Sequence, residues 1–348
     1  MNRRTPVRLG DLSTGFVHSL AAALREAGHD PLPLLAHYGL DPQRLAEPGG
    51  RLSIPRYMRL GHAAMQLAGD PALGLSMGRC CRLAQLGLAG VTAAQAPTVR
   101  DAARMLIRFE ALYASNYRGQ GSFHEDAGGA WLRLYSLSPY NGFNRFVVDS
   151  VLGGWLQQLS QVAGQTLVAE RIEIEFDAPD YTSAYAGLSR STVQFGAGAN
   201  QLRLDKGTLA LANPAYCPGT WQALQALCEQ QLEQMTRTYS LGQRITRLLG
   251  PLLGSGREPS LEEVALRLKL PVWTLRRKLA EQGTSFRTVL NDARQDLATT
   301  YIRDTDLTFG EIAFVLGFAS AEAFARAFKR WTGETPGAFR RGLSARDD

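Results

Sequence analysis

From Leu261 to the carboxyl end, apolar residues return every three or four positions in short runs with defined starts, the signature of a series of amphipathic helices. In SLEEVALRL, Ser260 and Glu263 form a capping box ahead of Val264 and Leu268, and in TFGEIAFVL, Thr308 and Glu311 do the same ahead of Ile312 and Leu316. After a short turn each run restarts on an apolar pair four residues apart, Leu275 with Leu279 and Phe324 with Phe328. Overlaying the runs matches Glu263 with Glu311, Ala265 with Ala313, Leu268 with Leu316, Leu275 with Phe324, Arg277 with Arg326 and Leu279 with Phe328. The offset drifts from 48 to 49 because the turns differ by one residue. This is an internal repeat.

The repeat predicts two helix-turn-helix units, residues 260–283 and 308–333, joined by a helix over 287–303 that would span about 25 Å at ~1.5 Å per residue. In each unit the apolar pair grips one face of the second helix and frees the other. That free face carries Trp273, Arg276, Arg277 and Lys278 in the first copy, and Ala321, Glu322, Ala325, Arg326 and Lys329 in the second. Guanidinium groups read guanine edges in a major groove and methyl groups meet thymine, so double-stranded DNA is the expected partner. Two such heads about 34 Å apart would enter successive major grooves on one side of the duplex.

Upstream, the pattern mixes periods. Residues Thr98 to Tyr117 read as one long helix, whereas Ala130 to Ser136, Arg171 to Phe176 and Gln201 to Leu204 alternate as strands do. The helical stretch Trp221 to Met235 is followed by a restart at Ser240, where Ser240 and Gln243 offer another capping box. The expected fold is therefore an α+β amino-terminal domain, 1–235, followed by an all-α carboxyl-terminal domain, 240–345, with two helix-turn-helix motifs joined by a linker helix. Trp221 to Met235 could pair two chains through Leu224, Cys228 and Met235 or could pack on its own domain, and the pattern leaves both readings open.

Composition narrows the chemistry. A chain of 348 residues with 45% hydrophobic and 20% charged residues can bury two ordinary cores. The net charge of +6 permits a polyanionic partner, but from Pro251 onward fifteen basic residues face thirteen acidic ones, 15 − 13 = +2, so attraction must come from charge placed on one face. Four cysteines make no disulfide framework, and the five scattered histidines show no metal spacing. No metal and no cofactor is expected. No run reaches the roughly 18 apolar residues of a membrane helix, and the stretch Phe16 to Leu24 is interrupted by His18 and Ser19, so a cytoplasmic protein without a signal peptide is expected.

Gly74-Leu75-Ser76-Met77-Gly78 matches the G-x-S-x-G elbow of serine hydrolases. The elbow needs a preceding strand, yet DPALGL has no β-branched run, and His124 is the one histidine downstream. The hydrolase is a remote alternative, and no enzyme is expected. Gly196-Ala197-Gly198 lacks the rest of a phosphate loop and reads as a turn. Tyr113, Tyr117, Trp131, Tyr135, Tyr140 and Trp155 lie on segments that could line a ligand pocket, with Arg108 or Arg145 available for a carboxylate. The rival is a regulator without a ligand, controlled by a partner protein or by abundance.

The stretch YIRDTDLTFGEIAFVLGFASAEAFARAFKRWTGETPGAFR, 301–340, resembles the signature of the AraC/XylS family of bacterial transcription regulators at Glu311, Ile312, Ala313, Leu316, Gly317, Phe318, Phe324, Arg326, Phe328, Lys329, Gly333, Pro336 and Arg340. LRRKLAEQGTSF resembles the family's first helix-turn-helix. The resemblance implies base-reading positions at Trp273, Arg276 and Arg277, and at Ala321, Glu322, Ala325 and Arg326. Ala321 and Ala325 stand where many members carry polar residues, which implies weaker base reading by the second unit. PALGLSMG, LGLAGVTAAQAPTVRDAARML and VQFGAGANQLRLDKGTLALANP resemble the effector-binding domain of an arabinose-regulator-like branch that includes ornithine-type regulators. What this implies is a small-molecule effector, a homodimer, RNA polymerase as a partner, and an activator.

Overall fold

The computed structural model describes residues 10–47, 49–116, 120–135, 140, 142–237, 241–253, 259–304 and 307–347. Contacts divide the chain into a unit within residues 11–235 and a unit from Thr236 onward.

The first unit begins with β1 (Gly10–Ser13), α1 (Gly15–Glu26), α2 (Leu32–His37), α3 (Pro42–Leu45), β2 (Arg51–Ser53), α4 (Ile54–Ala68) and α5 (Leu73–Arg79). It continues with α6 (Gly87–Ala93), α7 (Val99–Arg108), α8 (Glu110–Tyr113) and β3 (Ala114–Asn116), and β1 lies between β2 and β3 in a three-stranded sheet. β4 (Gln120–Glu125), β5 (Gly129–Tyr135), α9 (Gly142–Ala163), β6 (Arg171–Glu173), β7 (Asn200–Asp205), α10 (Lys206–Ala210) and α11 (Pro218–Arg237) complete it. The second sheet is antiparallel in the order β4-β5-β7-β6, with Leu132 opposite both Phe123 and Leu202.

Alternation decides which face of that sheet is covered. Ala130, Leu132 and Leu134 of β5, with Leu202 and Leu204 of β7, are buried in one core with Val148, Leu152 and Leu156 of α9. A second core gathers Val17, Leu20 and Leu24 of α1, Leu60 of α4, Leu73 and Met77 of α5, and Phe146 of α9. Helix α5 lies against α9 at backbone distance. A Cβ on Gly78 would meet backbone atoms of Gly153 at 2.8 Å, and one on Gly74 would meet the Phe146 carbonyl oxygen at 2.8 Å.

The helix expected over Thr98 to Tyr117 stops at Arg108, makes one short turn in α8, and becomes a strand at Ala114. Leu106, Phe109 and Tyr113 keep helical spacing, but Phe109 is buried, the Tyr113 hydroxyl donates to the Leu106 carbonyl at 3.0 Å, and the following residues pair in the small sheet. Tyr117 lies outside the described residues. The strand expected over Arg171 to Phe176 ends at Glu173, because Ile174 N donates to the Gln194 carbonyl and Glu175 N to the Asn200 side chain.

The second unit is helical: α12 (Leu241–Leu253), α13 (Leu261–Arg267), α14 (Val272–Glu281), α15 (Phe286–Asp304), α16 (Phe309–Val315), α17 (Ala321–Thr332) and α18 (Pro336–Asp347). Both capping boxes form, Ser260 with Glu263 and Thr308 with Glu311. The Ser240 cap lies outside the described residues. The turns close alike: Leu270 N donates to Ala265 O at 3.0 Å, and Phe318 N to Ala313 O at 2.9 Å. Both require a left-handed residue, supplied by Gly317 at φ 70° and by Lys269 at φ 54°. The repeat read from spacing is thus also a repeat of backbone hydrogen bonds.

Candidate nucleic-acid interface

Leu275 and Leu279 anchor α14, and Phe324 and Phe328 anchor α17; all four are buried. The rings of Phe318, Phe324, Phe328 and Phe339 form a chain with centroids 5.5 to 5.8 Å apart, and Trp331 joins it 5.9 Å from Phe318. On α17 the rings and the cations divide by face. Behind lie the rings, and in front Glu322, Arg326, Lys329 and Arg330 are exposed, with Ala321 and Ala325 half-buried.

The front of α14 carries exposed Trp273, Arg276, Arg277 and Lys278. Trp273 is 66% exposed, so most of this large ring faces solvent rather than the core. The Arg277 guanidinium stands 5.7 Å from its centroid and 3.7 Å from the Glu281 carboxylate. On α17 the Ser320 hydroxyl caps the helix by accepting from Ala323 N at 3.2 Å. The same hydroxyl, together with the charge of Arg326, holds the Glu322 carboxyl below its ordinary value.

Arg294 is a residue that sequence reasoning missed. It is buried on α15, donating from Nε to the Leu316 carbonyl at 2.9 Å and from Nη2 to the Gly317 carbonyl at 3.3 Å, with its guanidinium 5.0 Å from the Phe318 centroid. The linker helix therefore grips the turn between α16 and α17. A sequence signal existed: Arg294 falls among Leu290, Ala293, Leu297 and Ala298, on the apolar stripe of α15.

In the first unit the expected pocket residues are dispersed. Trp131 and Tyr135 lie on the sheet face opposite Ala130, Leu132 and Leu134, and Trp131 is covered by Arg203 at 5.3 Å. Trp155 is buried in the core on α9, and Tyr113 is buried with its hydroxyl used. Arg108 is surface-exposed and paired with Glu229 at 2.5 Å. Cys228 is fully buried against Thr92, so that face of α11 is spent on its own domain. Ser76 sits on helix α5, not after a strand, and its hydroxyl accepts from Arg79 at 2.9 Å. The paired glycines of the G-x-S-x-G stretch serve the contact with α9.

A different cluster forms around Arg145. Its guanidinium lies 5.4 Å from the Phe176 centroid, and its buried Nε has no hydrogen-bond partner among the described residues. One turn on, the fully buried Asp149 accepts from the hydroxyls of Tyr181 (2.9 Å) and Tyr185. Burial pushes its carboxyl up to about 7 against those hydrogen bonds and the charge of Arg145. Tyr140 donates to Glu175 and accepts from Asn200 Nδ2 at 2.7 Å, with Phe176 5.4 Å from its ring. Asp149, Glu175, Tyr181 and Tyr185 were not anticipated, although an aspartate inside the apolar run VVDSVLGGWL was a visible anomaly.

Among the described residues no helix is long and apolar enough to cross a membrane. Residues 28–213 match the family described as the arabinose-binding domain of AraC transcription regulator, N-terminal, and residues 264–342 match a helix-turn-helix domain. The ornithine utilization regulator of Pseudomonas aeruginosa is 30% identical over 333 residues, covering 89% of this chain and 93% of that protein. The HTH-type transcriptional regulator VirS of Mycobacterium tuberculosis is 25% identical over 338 residues, covering 93% and 95%. The crystal structure of transcriptional regulator CdpR from Pseudomonas aeruginosa aligns with a TM-score of 0.44 at 24% identity, covering 92% of this chain and 97% of that one. Two matched helix-turn-helix units behind an arabinose-binding-type domain are regulatory machinery, not an enzyme: the chain belongs to the AraC family of DNA-binding transcription regulators.

Proposed function

We propose that α14 and α17 enter successive major grooves, with Trp273, Arg276 and Arg277 facing one half-site and Ala321, Glu322, Ala325, Arg326 and Lys329 the other, while residues 1–235 sense a small molecule and residues 240–345 hold the DNA. The observation that carries this is the pair of matched helices, each anchored by a buried i, i+4 pair and each exposing an arginine at the equivalent place, Arg277 and Arg326. Gel-shift titrations of Arg277→Ala and Arg326→Ala test it. Loss of a base-reading arginine should weaken binding by about 1 to 3 kcal/mol and relax preference at one base pair, and loss of a phosphate contact should weaken all sequences alike. Unchanged affinity and selectivity in both variants refutes the assignment.

The effector locus we favour is the Arg145 cluster rather than the dispersed residues Arg108, Tyr113, Trp131, Tyr135 and Trp155. An unpartnered buried guanidinium nitrogen suits a carboxylate, and Glu175 with the surrounding rings suits an ammonium, which together describe an amino acid. The name of the Pseudomonas aeruginosa relative, a regulator of ornithine utilization, supports the same class. Thermal-shift titration with ornithine, arginine, lysine and glutamate should stabilise the wild type by about 2.7 kcal/mol at a hundredfold excess over Kd, and Arg145→Ala should abolish the shift. No shift with any of them favours a regulator controlled by a partner protein or by abundance.

Action in the cytoplasm, activation through RNA polymerase and assembly as a homodimer complete the reading, supported by family membership. For the dimer, the face of α11 still open carries Ala223, Ala226 and Leu227, all exposed, in place of the face that holds Cys228. Sedimentation with and without the effector tests it through Leu227→Glu.

A further inference from the structure

We infer that Glu322 is the specificity-determining residue of the second helix-turn-helix unit, selecting a cytosine next to the guanine read by Arg326 and penalising other bases at that position. The inference rests on the reading that α17 faces a major groove.

The two units differ where it matters. At the offset of 49, Arg326 corresponds to Arg277 and Glu322 to Trp273, so each exposed arginine has a characteristic neighbour one turn before it. In α14 that neighbour is an uncharged ring lying 5.7 Å from the guanidinium. In α17 it is a carboxylate. The residues flanking it, Ala321, Ala323 and Ala325, offer methyl groups alone, so the front of α17 can approach closely and its first two turns present polar groups through Glu322 and Arg326. Lys329 and Arg330 sit in the last turn, suited to phosphates.

A carboxylate accepts hydrogen bonds and donates none. In the major groove guanine shows two acceptors and thymine an acceptor and a methyl group. Adenine's N6 donor sits beside the N7 acceptor, whereas cytosine N4 is a donor that a carboxylate can take without that conflict. Against the other bases the charge is desolvated without a partner, in the field of the phosphates, and binding weakens. The side chain is set for this role. The Ser320 hydroxyl accepts from Ala323 N and fixes the first turn that carries Glu322, and Arg326 follows it one turn away on the same exposed face. The competing reading is structural: an acid in the first turn complements the helix dipole and reads nothing.

Selection from a randomised duplex library with the full chain separates them, using wild type, Glu322→Ala and Glu322→Gln. The wild type should enrich cytosine at one position of one half-site. Glu322→Ala should lose that single preference, keep the rest of the motif, and bind duplexes carrying another base there roughly tenfold more tightly than the wild type does. Glu322→Gln should move the preference toward adenine, whose N6 and N7 a glutamine pairs. A motif unchanged in both variants, with only a lower thermal midpoint, leaves the residue a helix-capping acid and overturns the inference alone. A wild type that enriches no sequence overturns the groove reading and this inference with it.

Discussion

Replacing Arg294 should uncouple the second unit from the linker helix without touching any exposed residue. The side chain is 5% exposed and donates to two carbonyls, Leu316 at 2.9 Å and Gly317 at 3.3 Å, which close the turn between α16 and α17. Hydrogen bonds from a charged donor contribute about 1.5 to 3 kcal/mol each, and the longer one belongs at the low end. The stacking on Phe318 at 5.0 Å adds about 1 kcal/mol. Relief of the buried cation's desolvation offsets part of this, so Arg294→Met, which keeps most of the volume, should destabilise by about 3 kcal/mol. Arg294→Lys should recover only a fraction, because an ammonium cannot fork to two carbonyls in fixed geometry.

A chain of two units has no single unfolding free energy, so the readout must be local. Gly317 N and Phe318 N donate within the turn, to Phe314 O and Ala313 O. Their hydrogen exchange should accelerate roughly hundredfold in Arg294→Met, the factor that ~3 kcal/mol implies, while Lys269 and Leu270 in the first unit's turn stay as they are. Affinity for a duplex carrying both half-sites should fall, and protection at the second half-site should fall first. Unchanged exchange at Gly317 and Phe318 in Arg294→Met would refute the assigned role.

Lys269→Gly should stabilise the carboxyl-terminal domain by about 1 kcal/mol in urea unfolding, since a left-handed lysine costs ~1 to 2 kcal/mol and Gly317 fills the equivalent place. Gly78→Ala forces a Cβ to 2.8 Å from the Gly153 backbone and should lower the first unit's stability by about 1 to 3 kcal/mol or more, whereas Ser76→Ala on the same helix should be near neutral. Phe324→Ala should cost about 3 to 5 kcal/mol by opening a cavity behind α17, measured by denaturation rather than by base preference. Burial lifts the Asp149 carboxyl to about 7, above its unfolded value, so its contribution to stability is full below about pH 4 and is lost as pH rises to about 7. The stability of Asp149→Asn relative to wild type should therefore climb by up to ~4 kcal/mol across that interval and then level off; a flat difference between pH 4 and 8 rejects the argument.

The helix-turn-helix units were legible because their code is local. Caps and the i, i+4 pairs fall within a few residues of the groups they satisfy, and duplication supported each against its copy, whereas the left-handed turn position, glycine in one copy and Lys269 in the other, was not legible. The apolar stripe of α15 signals that Arg294 is buried but not what it holds, because its partners are backbone carbonyls more than twenty residues away. In the amino-terminal domain, β5 and β7 are long enough to show a period of two, whereas β1, β2 and β3 are of three or four residues and carry none. The break after Arg108 was invisible because Leu106, Phe109 and Tyr113 satisfy helical spacing on both sides of it. Aromatic residues told nothing about facing. Trp131 alternates with Leu132 and so turns away from the core that holds Trp155, which separates two residues whose segments were expected to line one pocket.

Divergence between the two units follows the same physical division. The positions that repeat are those that satisfy backbone groups or fill the core: Ser260 and Thr308 as caps, Glu263 and Glu311 behind them, Ala265 and Ala313 as turn acceptors, Leu275 and Phe324 as anchors. Each has few chemical solutions, because an unsatisfied buried amide or an empty cavity costs ~1 to 5 kcal/mol in either copy. The outward positions have no such constraint, and there Trp273 faces Glu322, Arg276 faces Ala325 and Ala280 faces Lys329 across the alignment, with Arg277 and Arg326 the shared exception. A surface arginine retained at one outward position of both copies, when nothing in the fold requires it, is what two heads reading one base type on unlike half-sites would need. The operator should therefore be an imperfect repeat, with a guanine common to both halves and the flanking bases different. Exchanging Val272–Glu281 for the corresponding segment of α17 should shift selection toward two like half-sites, and a motif unaltered by the exchange would show that these helices do not choose the bases.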